Sequence, residues 1–159
     1  VHHLALTDEL LQEFDTRHKV LPPLRNEVDR LALINGVLDD TIDCITTDHN
    51  PIDIEHKKME FDLAKYGTIG LESAFGALNN ILPLEKIIQK LTYGKNIFTN
   101  DNNSVSEGEK ANLTLFTIDD AYTFDKENIM SKSKNSAFLG QKMKGRVVGI
   151  YNQNQLVTL

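Results

Sequence analysis

The stretch Ile42-Asp43-Cys44-Ile45-Thr46-Thr47-Asp48-His49-Asn50-Pro51 joins a short, β-branched and nearly apolar run to a polar cluster. The run predicts a buried strand of a parallel sheet, because a strand covered on both faces reads as continuous apolar sequence rather than as alternation. The polar cluster then falls at the strand's C-terminal end. Upstream, Asn26 predicts the cap of a helix over residues 27–38, with Leu31, Ile34 and Leu38 on its inner face and Asp29 near its positive end. Downstream, Gly67 and Gly70 introduce a helix carrying Leu71, Ala74, Phe75, Leu78 and Leu82. Pro83 separates it from a second helix with Leu84, Ile87, Ile88 and Leu91, which Gly94 closes. Helix, strand and helix in alternation give an α/β architecture.

The flanks are less regular. Thr7 caps an expected short helix over 7–14 with Leu10, Leu11 and Phe14, whereas Pro22-Pro23 forces residues 19–25 into an ordered loop or lid. Residues 53–65 read as a charged loop in which Lys57 and Lys58 form a solvated face. The character changes near Asn96: a turn at Asn100-Asp101-Asn102-Asn103 leads to short strand-like runs at 113–118, 122–124, 143–150 and 156–159. This divides the chain into an α/β part, 1–95, and an all-β tail, 96–159.

With 159 residues, 17 Lys plus Arg against 23 Asp plus Glu and a net charge of −6, the chain has the composition of one packed domain. It lacks the basic stripe of a nucleic-acid binder and any apolar run of membrane-spanning length. A single cysteine, Cys44, makes no intrachain disulfide and reads as a small buried hydrophobe, so a reducing, cytoplasmic location is expected. The opening at Val1, without Met and already in patterned sequence, predicts a piece of a longer protein.

The histidines His2, His3, His18, His49 and His56 show no spacing that defines a metal site alone. Asp48 is the first candidate, because catalytic groups of α/β barrels come from the C-terminal ends of strands; the alternative is a turn cap in Asp-His-Asn-Pro. His2, at the end of what reads as the preceding strand, could converge with it; the alternative is a tag remnant, weakened by the patterned sequence that follows. Arg25 has two readings, part of a rigid connector or a two-bond clamp on a substrate carboxylate.

Taken in order, Val1-His2-His3-Leu4, Leu6-Thr7-Asp8, Phe14-Asp15-Thr16, Lys19-Val20-Leu21-Pro22-Pro23-Leu24-Arg25, Thr41-Ile42-Asp43, Thr46-Thr47-Asp48-His49-Asn50-Pro51 and Gly70-Leu71-Glu72-Ser73 resemble the C-terminal part of the dihydroorotase family, in the amidohydrolase superfamily. The likeness continues through Ser133-Lys134-Asn135-Ser136-Ala137-Phe138-Leu139-Gly140 and Gly145-Arg146-Val147-Val148. It implies the last strands and helices of a metal-dependent (β/α)8 barrel, followed by the C-terminal strands of a small β-sandwich. It also implies one or two zinc ions, and reversible hydrolysis of dihydroorotate to N-carbamoyl-aspartate in pyrimidine biosynthesis. By matching motifs, His2 falls on a metal-ligating histidine, and Asp48 on the aspartate that ligates metal and shuttles the proton. Arg25, Gly67, Leu21 and Ile52 fall at the substrate. The implied partners are the missing N-terminal part of the same chain, a second copy in a homodimer, and aspartate carbamoyltransferase.

Three positions depart from the family pattern: Leu21 stands for Asn, Ile52 for a substrate-contacting His, and Lys65 for Pro. An apolar side chain cannot replace a hydrogen bond to a polar substrate, and discrimination falls steeply when such a bond is lost. A divergent cyclic amidohydrolase, such as an allantoinase or hydantoinase, and a noncatalytic assembly subunit are therefore alternatives. The family's other metal ligands come from earlier strands, so the fragment alone is expected to be inactive.

Overall fold

The computed structural model describes residues 1–99 and 105–158. The expected turn at 100–103 and the last residue of the final expected strand lie outside them.

Four α-helices occur among the described residues: α1 (His2–Ala5), α2 (Glu27–Leu38), α3 (Ala74–Leu78) and α4 (Leu84–Leu91). Helix α2 starts where Asn26 predicts, its side chain accepting from the Asp29 N–H at 2.9 Å, with Glu27 and Asp29 in the first turn. Its inner face differs from expectation. Val37 is buried with Leu33 and Ile34 against the core, while Leu31 and Leu38 are exposed. The helix is apolar on several sides, and periodicity alone does not choose among them.

Helix α4 follows Pro83 as expected and buries Ile87. Gly94 does not close it. The chain instead runs on through a 3-10 turn, Tyr93–Ile97, and a Cβ at Gly94 would run into the Asp43 carbonyl oxygen. The helix expected over 71–82 shrinks to α3. Leu71 lies in an exposed turn, and beyond Leu78 the chain tightens into turns that free two asparagines for the tail. Asn79 Nδ2 donates to the carbonyls of Ile118 and Lys144, and Asn80 Nδ2 to that of Lys142. Residues 7–14 make only a 3-10 turn, Asp8–Leu11, and Thr7 places no side-chain cap on it.

The expected strand at 42–47 forms no ladder. Only Ile45 is buried, its N–H bonding to the Lys90 carbonyl, while the Thr46 carbonyl accepts from the main-chain nitrogen of Val1 at 2.8 Å. A strand needs neighbours to bond, and none flanks this segment among the described residues. Cys44 is consequently half-buried rather than buried.

The tail is antiparallel throughout. Strands β1 (Asn112–Phe116), β4 (Val147–Asn152) and β5 (Gln155–Thr158) form one sheet in the order β1-β4-β5, and β2 (Ala121–Thr123) pairs with β3 (Lys142–Lys144). The single run expected at 143–150 is thus two strands in different sheets. Between β4 and β5 the two linking residues, Gln153 and Asn154, both take positive φ (50° and 61°), the turn that suits the twist of a hairpin. Phe124, Phe138 and Met143 from the tail join Leu4, Val37, Ile69, Leu78 and Ile87 in a continuous core. No helix among the described residues is long and apolar enough to cross a membrane.

Candidate functional site

His2 opens α1 rather than ending a strand, yet it does converge with Asp48. The His2 residue is 1% exposed, neither ring nitrogen has a hydrogen-bond partner, and Nε2 lies 3.9 Å from Asp48 Oδ2. Burial first, then neighbouring His3 and the terminal amine, lowers the His2 pKa to about 3. The ring is therefore neutral, which is the form that ligates a metal. Asp48 presents a half-exposed side chain from backbone with φ of +49°, a conformation that short polar residues tolerate better than others.

Gly67 comes together with Asn50 and Ile52, which lie a few residues along the chain from Asp48. Gly67 has a φ of +136°, and a Cβ there would lie 2.8 Å from Asn50 Nδ2 and 2.9 Å from Ile52 Cγ1, so only glycine fits both the backbone and the space. The Gly67 N–H bonds to the Lys19 carbonyl at 3.0 Å, and the Asn50 N–H to that of Thr68 at 2.8 Å. Leu21, 63% exposed, precedes Pro22 across a cis peptide bond in the expected loop. Arg25 is exposed, with Nε 3.1 Å from Asp29 Oδ2. That ion pair occupies the guanidinium on the surface of α2 and does not join it to His2 and Asp48.

The charged loop holds a correction. Lys57 is not solvated: it is 3% exposed, and Nζ donates to the carbonyls of Thr16 (2.9 Å) and Lys19 (3.2 Å). Burial, with Lys19 nearby, lowers its pKa to about 8. Lys19 Nζ in turn donates to the carbonyls of Phe61 and Asp62. The two ammonium groups thus tie the loop before Pro22 to residues 57–62.

Sequence reasoning also missed His49, Glu72 and Ser131. The His49 Nδ1 accepts from the N–H groups of Gly70 and Leu71, while Ser131 lies between His49 and Glu72. Their signal was present in the quoted stretches around Asp48 and Gly70, but the serine stands 82 positions from the histidine.

As a metal centre this arrangement is half of one. The orphaned imidazole and the facing carboxylate are apt donors, yet no group of three or more His, Cys, Asp or Glu that could hold an ion occurs among the described residues. A catalytic zinc takes three protein ligands.

No protein-family model matches the chain. It is 41% identical over 155 residues to a dihydroorotase of Endomicrobium trichonymphae, covering 92% of this chain and 37% of that protein. It is 42% identical over 159 residues to a dihydroorotase of Caldicellulosiruptor saccharolyticus (95% and 37%) and 40% over 151 residues to one of Bacillus subtilis (91% and 35%). Among solved structures, L-hydantoinase (dihydropyrimidinase) from Arthrobacter aurescens superposes with a TM-score of 0.88 at 21% identity, over 99% of this chain and 38% of that one. Dihydroorotase from Saccharomyces cerevisiae, in complex with 5-fluoroorotic acid, gives 0.71 at 15% identity, over 92% and 41%. The chain thus spans a little over a third of the curated relatives it matches, and its mixed helix-and-strand fold is that of part of these cyclic amidohydrolases. In sequence the chain is similar to dihydroorotases over about a third of their length.

Proposed function

We propose that this chain is the C-terminal portion of a zinc-dependent dihydroorotase, with residues 1–95 the last strands and helices of its barrel and 96–159 its share of a β-sandwich. The observation that carries the reading is the buried, unpartnered His2 imidazole 3.9 Å from the Asp48 carboxylate, in a chain about two-fifths identical to dihydroorotases. His2 and Asp48 would hold zinc together with ligands from preceding barrel strands. A zinc ion in such a site polarises a carbonyl and makes water acidic enough to attack near neutral pH. Asp48 accepts the proton of the attacking water and returns it to the amide nitrogen as the ring C–N bond breaks, giving N-carbamoyl-aspartate from dihydroorotate. The wall made by Gly67, Asn50 and Ile52 would border the substrate, with Leu21 and Arg25 contributing from the Pro22-Pro23 loop. The same reading places the protein in the cytoplasm, in pyrimidine biosynthesis, as a homodimer.

A second reading is favoured by the apolar Leu21 and Ile52 and by the engagement of Arg25 with Asp29: a noncatalytic subunit that assembles with aspartate carbamoyltransferase. Substrate profiling separates these and the other cyclic amidohydrolases. The longer zinc-loaded protein is expected to turn over dihydroorotate in preference to allantoin and dihydrouracil. Preference for either of the others would move the assignment to a sister activity, and no turnover of any of the three would favour the assembly subunit.

A further inference from the structure

Tail residues 131–137 lie against the loops that carry Asp48. The Ser133 hydroxyl donates to the Ile52 carbonyl (2.8 Å), Asn135 Nδ2 to the Gly67 carbonyl (3.0 Å) and the Ala137 N–H to Thr68 Oγ1 (2.7 Å). The Asn135 carbonyl accepts from the Ile69 N–H at 3.0 Å. At the head of this segment, the N–H and the hydroxyl of Ser131 both donate to Glu72 Oε1, at 2.8 and 2.5 Å, and the same hydroxyl oxygen is 3.5 Å from His49 Nε2. On the other side of the ring, Nδ1 accepts from the Gly70 and Leu71 N–H groups, each at 3.3 Å.

Counting protons fixes the direction of this chain of bonds. Two N–H groups point at Nδ1, so Nδ1 carries no hydrogen. Ser131 has one hydroxyl proton and gives it to Glu72, so its oxygen can only accept from His49. Burial pushes the Glu72 carboxyl up, but the bonds from Ser131 outweigh it and hold the group below the usual carboxylate range, as an acceptor. Nε2 therefore carries the imidazole hydrogen, and the order runs from His49 to Ser131 to Glu72. His49 directly follows Asp48, whose left-handed backbone is costly enough to need support from its surroundings.

We infer that Ser131 and Glu72 are positioning residues that act through His49 to fix the backbone at Asp48, and with it the direction of the Asp48 carboxylate toward His2. The inference rests on the reading of His2 and Asp48 as a metal half-site. It gives the serine-rich tail segment a role at the site, beyond packing the tail onto the rest of the molecule.

The first test needs no activity. Nitrogen-15 NMR of the histidine-labelled chain is expected to show His49 in the single tautomer with hydrogen on Nε2. Ser131→Ala should leave that tautomer in place, since the Gly70 and Leu71 N–H groups still point at Nδ1, but should shift the Nε2 resonance as its acceptor is lost, and Ser131→Thr, which keeps the hydroxyl, should restore it. In the longer protein, Ser131→Ala and Glu72→Gln should lower zinc affinity or kcat by about 10- to 100-fold, the usual cost of losing a residue that orients a ligand, while KM stays near its original value. Ser131→Thr should recover most of the loss. Hydrogen on Nδ1, or a folded Ser131→Ala protein with unchanged zinc affinity and kcat, would overturn the inference. Absence of turnover from the unaltered protein would instead count against the proposed function, leaving the tautomer and zinc affinity to judge the positioning role.

Discussion

Asp48 and Lys57 show two ways in which a charged side chain is set by distant residues. Asp48 is exposed, and in the proposed mechanism it accepts and returns a proton. Asp48→Asn keeps size but cannot accept and return a proton, so turnover of dihydroorotate by the longer protein should fall by about two to four orders of magnitude. Zinc content measured alongside separates this from loss of a ligand; near-normal turnover with zinc retained would remove Asp48 from the mechanism. Lys57 is the reverse case, a buried ammonium held by two carbonyls. Its folded pKa of about 8 lies below the ordinary 10.5, so the unfolded chain binds that proton more tightly. The penalty is complete below pH 8 and is relieved as pH rises toward 10.5, so stability should climb over that window, by on the order of 3 kcal/mol from this group. Urea midpoints across that range should rise more steeply for the unaltered chain than for Lys57→Met; equal slopes would contradict the burial. Asp48 was legible because a polar cluster follows an apolar run. Lys57 was not, because the carbonyls of Thr16 and Lys19 that hold it stand about forty positions away in sequence.

Elements were legible where a local signal starts or stops them. Asn26 and Pro83 each decide a helix start by backbone chemistry within a few residues, and α2 and α4 begin where those residues say. Asn26→Ala should therefore cost about 1 kcal/mol in urea unfolding, with no effect on zinc affinity. Signals failed where an element depends on its neighbours: residues 42–47 have strand composition but no ladder, and Gly94 looks like a helix stop while its position is dictated by the backbone of Asp43 and Cys44. A side chain at 94 must push that backbone away from α4. Gly94→Ala should then destabilise the chain by about 1–3 kcal/mol, the range for overpacking, whereas a simple helix stop would tolerate Ala with a far smaller change.

The whole molecule combines a continuous core with unfinished surfaces. Among the described residues, β1 and β5 each pair on one side only, and Leu115, Ile150, Leu156 and Val157 are exposed on their sheet. Open edges and apolar faces of this kind invite pairing with another chain. The proposed metal site has the same character, for His2 and Asp48, 3.9 Å apart, are two donors where a catalytic zinc takes three. The chain spans little more than a third of the relatives it matches, and on the proposed function the rest of such a protein would supply the missing neighbours. The 159-residue chain by itself should therefore retain no stoichiometric zinc after dialysis and should not hydrolyse dihydroorotate. Joined to the remaining sequence of its longer protein, it should do both, and His2→Ala should then reduce bound zinc. Tight zinc binding or turnover by the isolated chain would mean that the described residues already complete a site, and the assignment of His2 and Asp48 as one half of it would have to be abandoned.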